Sequence, residues 1–182
     1  GETVTEIDLS GAEENQWPEA LVELDDGTIV AEESYAAGLL LIDPDAGEVT
    51  ATLDLEDVVT DLELVDGLVH VASLSSVIVV DPDGLEIVDE IETDIRPWAL
   101  ASIPDSDTVW VSSTNGTATT LDTATGTFGE PTNLGDGAAE GIAVSGDDVW
   151  VVDDAGGLFR LDVTSGELLD AFELPDAPGL TT

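Results

Sequence analysis

The chain has 182 residues, 42% of them hydrophobic, and sets 42 Asp and Glu against 2 Lys and Arg for a net charge of −40 at neutral pH. That is one domain's worth of sequence, apolar enough for a packed core rather than a disordered acidic tail. The charge excludes nucleic acid and anionic membrane surfaces as direct partners, and the lack of Cys excludes disulfides, thiol catalysis and thiolate metal sites.

In chain order, residues 2–9 (ETVTEIDL) alternate in polarity and read as a lone outer strand. Residues 19–55 carry four short segments, EALVEL, TIVAEE, GLLLID and EVTATLDL, divided by Gly, Asp and Pro turns. The same plan recurs over 61–92, 98–134 and 140–174, and residues 178–182 resemble the start of one more inner strand. Val30, His70, Trp110 and Trp150 share one slot of the repeat, each 40 residues after the last. Asp43, Asp81, Asp122 and Asp162 share another, each followed by a turn containing Gly47, Gly84, Gly126 or Gly166.

Four strands in a unit of about 40 residues is the period of a propeller blade. The fold expected is all-β, a β-propeller of four complete four-stranded blades with partial flanking strands, as a single domain or arc over 1–182. Three arrangements stay open: a window of a larger propeller, a compact four-bladed ring, or two chains completing one ring. The first residue is Gly rather than Met, so a mature, excised or partial chain is expected. No apolar run approaches the ~18 residues of a membrane-spanning helix, and membrane insertion is not expected.

The acids are spread along the whole chain, with Arg96 and Arg160 as the only fixed cations. Such a shell repels itself in dilute buffer. At molar salt the Debye length falls to about 3 Å and the repulsion is screened. Adaptation to high salt is the expectation, with a calcium-bathed secreted module as the competing one.

The segments SGELLDAFELPDAPGL, GIAVSGDDVWVVD and PEALVELDDGTIVAEE resemble the YVTN, streptogramin-lyase-like and gluconolactonase-like propeller repeats. The resemblance covers nearly the whole chain, but its motifs are structural and recur across many functions. It implies a propeller and leaves activity open. Metal-dependent lactonases of this type hold their ion with Glu, Asn and Asp at the channel mouth. Here no Asn and no His falls in the corresponding slot, so that chemistry lacks its usual residues.

Aligning the repeats puts Glu19, Asp61, Trp98 and Glu140 at the mouth of the inner strands, with Glu32–Glu33 and Asp153–Asp154 in loops on the same face. Carboxylates converging there suit Ca²⁺ or another hard cation, and Glu19, Asp61 and Glu140 are the candidate ligands. Trp17 and Trp98 are candidates for an aromatic patch on that face. DPDAGE at 43–48 lacks the acid a calcium loop needs at its fifth position, and its sister turns DTATG and DVTSG lose the middle acid. It reads as a turn held by an Asx-type hydrogen bond and a Gly. His70, the only His, shares its slot with Val30, Trp110 and Trp150 and reads as packing. Asn115-Gly116-Thr117 is a glycosylation sequon as well as a hairpin turn.

The function expected is a non-catalytic binding or structural module with a protein or glycan partner, extracellular or at the cell surface. Assembly with further blades or a second chain is compatible with it. The alternative is a metal-dependent lactonase- or lyase-like propeller enzyme.

Overall fold

The computed structural model describes residues 18–33 and 37–175. The expected outer strand at 2–9, the expected inner strand at 178–182 and Trp17 lie outside them. Every regular element described is a strand. The chain divides into two compact units, Gly1–Asp94 and Ile95–Thr182.

The first unit holds two sheets. One joins β1 (Leu21–Glu23), β2 (Ile29–Glu33), β3 (Gly38–Asp43) and β4 (Glu48–Asp54); the other joins β5 (Val59–Val65), β6 (Leu68–Ser73), β7 (Ser76–Asp81) and β8 (Glu86–Glu92). Both run in sequence order with antiparallel neighbours, the simplest path for strands linked by tight turns. The β5–β6 hairpin shows why the chain reverses where it does. Asp66 and Gly67 both take positive φ, 50° and 79°, the backbone of a turn whose twist matches its strands.

The second unit repeats the plan with β9 (Pro97–Ser102), β10 (Thr108–Ser113), β11 (Thr117–Asp122), β12 (Thr127–Phe128) and β13 (Thr132–Asn133), then β14 (Ala139–Ser145), β15 (Asp148–Asp153), β16 (Gly157–Asp162) and β17 (Leu168–Glu173). The first of these sheets has five strands because its outer ribbon is broken, β12 and β13 both pairing β11. Gly129-Glu130-Pro131 makes the break, since Pro offers no ladder N–H. The other three outer strands keep one piece but carry a register shift at the equivalent place, Leu41/Ile42, Val79/Val80 and Arg160/Leu161. A bulge there sharpens the twist of these three outer ribbons.

Burial falls from the middle of each sheet outward. β6 and β7 are almost wholly buried, whereas β8 and β17 are mostly exposed. Inside the first unit, the face of the first sheet bearing Val30 and Leu39 packs on Leu62, Val69, Val71, Ile78 and Val80 of the second. Inside the second unit, the face bearing Trp110 and Ala118 packs on Val149, Val151, Phe159 and Leu161. The two units therefore use the same face of the leading sheet against the same face of the following one. Each fully buried Val or Leu contributes about 1.5–3 kcal/mol, which makes these faces the main source of stability.

The turn after each third strand behaves as the Asx reading requires. Asp43 Oδ1 accepts from the backbone N–H of Asp45 and Ala46, both at 2.9 Å, and Gly47 N–H closes on the Asp43 carbonyl at 2.8 Å. Asp162 accepts from Thr164 and Ser165, and those bonds, chiefly Ser165's, hold its carboxyl below the ordinary 3.8. The second repeat departs from expectation. The left-handed residue there is Leu85, with φ 49°, and not Gly84, because Leu85 stands four residues after Asp81 as Gly47 stands four after Asp43. Burial of Leu85 at 4% exposure in the core compensates its backbone strain.

Candidate functional site

Strand register locates the mouth residues. Val59, Pro97 and Ala139 pair with Ser73, Ser113 and Asp153, and Leu62, Leu100 and Ile142 pair with Val71, Val111 and Val151. Two residues of the inner strand face one of its partner in each case, so each inner strand carries a bulge. The bulge puts Thr60, Trp98 and Glu140 in one slot, to which Glu19 corresponds in the first repeat. Asp61 stands one residue further on, level with Ala20, Ala99 and Gly141. Sequence alignment had set Asp61 beside Glu19 because only the ladder reveals where the extra residue sits.

Glu19 and Glu140 are exposed, while Asp61 and Trp98 are half-buried. Glu19 and Asp61 belong to the first unit, Trp98 and Glu140 to the second. Among the described residues, no group of three or more His, Asp or Glu side chains is disposed to hold a metal ion.

The acidic loops have a structural occupation. Glu32, 6% exposed, accepts from the Glu19 backbone N–H at 2.7 Å, so its carboxylate ties the inner strand to its neighbour. Asp153 accepts from the Gly157 N–H across the β15–β16 turn, and Asp154 from the Ala138 N–H at 2.9 Å. In the slot of Asp153 the second and third repeats place Ser73, which bonds Ser76 at 3.0–3.2 Å, and Ser113, which donates to the Ile95 carbonyl, while the first places Glu33. In the last three repeats a Ser or Asp oxygen at this slot ties the turn. Asp153 at this position serves backbone satisfaction.

His70 is 2% exposed, its Nδ1 has no hydrogen-bond partner, and burial pushes its pKa down from 6.5 against the opposing pull of the Leu68 carbonyl and Asp66. Trp110 is 1% exposed and donates its indole N–H to the Val163 carbonyl at 3.2 Å. Asn115 forms the β10–β11 turn, exposed, with its side-chain amide donating to the Ile95 carbonyl at 3.0 Å.

Trp150 differs from its repeat mates. It is half-buried, stacks on Phe172 with ring centres 6.3 Å apart and 25° between planes, and lies under the Arg160 guanidinium at 6.0 Å. Arg160 pairs with Asp170 and, at 3.8 Å, with Asp148. Sequence reading grouped Trp150 with Trp110 as filler; cross-strand pairing of Trp150 with Arg160 and of Arg160 with Asp170 is the signal that separates them.

Among the described residues, two clefts open on the first unit. One, of ≈ 430 Å³, is lined by Leu24, Leu64 and Pro82 with Asp25, Asp26, Asp66 and Asp83. The other, of ≈ 480 Å³, is lined by Ser75, Thr93, Glu90, Glu92 and Asp94. Both are acidic and neither contains a mouth residue. Asp26 is also a turn residue, accepting from the Thr28 N–H, which lowers its pKa.

No family model and no curated protein matches the chain. Solved structures do. Hydrazine synthase of Kuenenia stuttgartiensis superposes with a TM-score of 0.78 at 17% identity, over 88% of this chain and 50% of that one. Virginiamycin B lyase of Staphylococcus aureus gives 0.71 at 19% identity, over 87% and 55%. The four sheets are propeller blades. The N-terminal part of BBS1, solved in complex with ARL6DN, gives 0.71 at 17% identity, over 87% and 52%. At these identities the likeness establishes the blades and not an activity. The chain spans about half the length of the propellers it matches.

Proposed function

We infer that this chain is a non-catalytic binding or structural module of the propeller class, adapted to high salt and working at the cell surface or in a secreted assembly. The observation that carries the reading is the use of the loop acids at the strand ends. Glu32, Asp153 and Asp154 are spent on backbone N–H groups, which leaves exposed Glu19 and Glu140 and half-buried Trp98 as surface features. Among the described residues these side chains belong to no cluster of three or more metal-holding groups, and surface groups of this kind suit recognition of another surface, whereas a hydrolytic site needs its groups convergent and oriented. The likeness to a propeller solved in complex with a protein partner supports the same reading.

With a net charge of −40, the partner is a protein or glycan surface that is neutral or basic. The test is made in molar KCl with Ca²⁺ supplied. Chemical cross-linking on the intact host surface is expected to give one discrete partner adduct, and lactone substrates are expected to stay unopened. Saturable lactone turnover that Glu19→Gln or Glu140→Gln removes would install the metal-dependent lactonase or lyase reading instead.

A further inference from the structure

The ≈ 430 Å³ cleft opens where the first two sheets meet, at the strand ends opposite the mouth, walled by the β1–β2, β5–β6 and β7–β8 turns. Leu24, Leu64 and Pro82 give it an apolar floor, the two Leu lying against the core. The second unit has the same three positions in Ile103, Val144 and Val163, which pack on its own core. There the backbone acceptors are all served from within. Val163 donates its N–H to the Asp147 carbonyl at 2.9 Å, as Thr123 does to Asp107, and the Trp110 indole N–H reaches the Val163 carbonyl at 3.2 Å. In the first unit both donors are gone. Pro82, in the slot of Val163, has no N–H to give, so the Gly67 carbonyl at the cleft lacks the bond its counterparts have. Val30 stands for Trp110 and carries no N–H on its side chain, which leaves the Pro82 carbonyl with only the Leu85 N–H at 3.4 Å. The sister site thus shows what the cleft is short of: N–H donors, one of them on a large flat group.

We propose that this cleft is a docking site for an arginine side chain presented by a loop of a protein partner. The aliphatic stem lies on Leu24, Leu64 and Pro82, and the guanidinium gives N–H groups to the Gly67 and Pro82 carbonyls. The rim supplies the complementary charge, since Asp25, Asp26, Asp66 and Asp83 all border the cleft and are exposed. Asp25 and Asp83 take no hydrogen bond or ion pair among the described residues, unlike Glu32, Asp153 and Asp154 at the mouth. No three acids among the described residues are disposed to hold a metal ion. Carboxylates spread in this way suit a planar cation with five donors and not a point charge. The volume lies at the small end of the range of about 300–1,000 Å³ for ligand pockets, as one long side chain requires. The site rests on the protein-partner reading above and deepens it by naming what the partner offers.

The probe is the capped peptide acetyl-Gly-Ser-Arg-Ser-Gly-amide, titrated into the full chain in molar KCl with backbone amide shifts read by NMR. Saturable shifts are expected at Gly27, Gly67 and Asp83, and none at Asp105 or Asp147 of the second unit. Joint change of Asp66→Asn and Asp83→Asn, both on exposed turns, is expected to weaken binding at least about tenfold through lost charge-assisted hydrogen bonds. Asp105→Asn is expected to leave it unchanged. Equal binding of the same peptide with Lys or Gln for Arg would overturn the proposal. So would unchanged affinity in a joint variant whose remaining amide shifts show an intact fold, or CaCl2 that saturates the same amides and displaces the peptide. Cross-linking on the host surface separates this site from the reading beneath it. A partner adduct that the joint variant keeps in full would overturn the site and leave the binding module standing. No adduct from the native chain would fail the module reading, and the peptide titration would still decide whether the cleft selects arginine.

Discussion

Replacing His70 by Val, the residue its slot holds in the first blade, probes the packing logic at its most telling position. The ring is 2% exposed and its Nδ1 is without a partner. An orphaned buried polar atom costs about 1–3 kcal/mol. Trading imidazole for isopropyl gives back about 0.5–1.5 kcal/mol of contact. His70→Val is therefore expected to gain about 1 kcal/mol at about pH 7.5. The pH dependence is sharper. Because burial lowers the folded-state pKa, the unfolded chain takes up the proton first as pH falls through 6.5. The stability that the neutral ring contributes is fully present above that value and is lost below it, at up to about 1.4 kcal/mol per pH unit. Urea unfolding of both proteins in molar KCl, near pH 7.5 and near pH 5, should show the gap between them widening in favour of Val as the pH falls. The carboxylates titrate in both proteins and cancel in the difference. Parallel stability curves would refute the reasoning, since they would mean that His70 takes up its proton as easily folded as unfolded.

Two glycines that look alike in the repeat should behave differently. Gly166, at φ 71° with its missing Cβ 3.3 Å from the Trp110 ring, is expected to lose about 1–2 kcal/mol on change to Ala. Gly84, which has no positive φ and faces only the flexible Glu86 side chain at 3.3 Å, is expected to change by less than about 0.5 kcal/mol, both read by urea midpoint. Trp110→Ala should cost about 3–5 kcal/mol, whereas Trp150→Ala, which gives up partial burial and an exposed cation–π contact, should cost about 1–2 kcal/mol. Thermal melting should rise with KCl toward molar concentration, and calorimetric Ca²⁺ titration in that salt tests Glu19, Asp61 and Glu140. Undiminished stability in millimolar salt without calcium would contradict the salt-adapted reading.

Periodicity carried the fold. Fixed spacing of Val30, His70, Trp110 and Trp150 and of the four turn Asp residues implies one sheet built repeatedly, and the strands pair accordingly. What the sequence hid was register within the irregular parts. A bulge inserts a residue without any compositional mark, so Asp61 aligned with Glu19 although the ladder gives that slot to Thr60. Gly84 drew the eye in DPDGLE, yet spacing from Asp81 hands the left-handed slot to Leu85, whose burial outweighs its propensity. The loop acids were legible as charge but not as caps, because the partner N–H of Glu19 or Ala138 lies many residues away. In a chain where nearly a quarter of residues are acidic, identity alone cannot separate a ligand from a cap. Exposure of Trp150 is likewise a property of what covers a face, which no residue in the blade encodes.

Nuclear Overhauser contacts across the middle of each blade test the common register most directly. In molar salt, backbone contacts are predicted between Val30 and Leu41, His70 and Val79, Trp110 and Thr120, and Trp150 and Arg160, one pair at the same slot of every repeat. A pair displaced by one residue in any blade, or missing while its strands stay folded, would contradict the equivalence from which the packing faces and the candidate site were built.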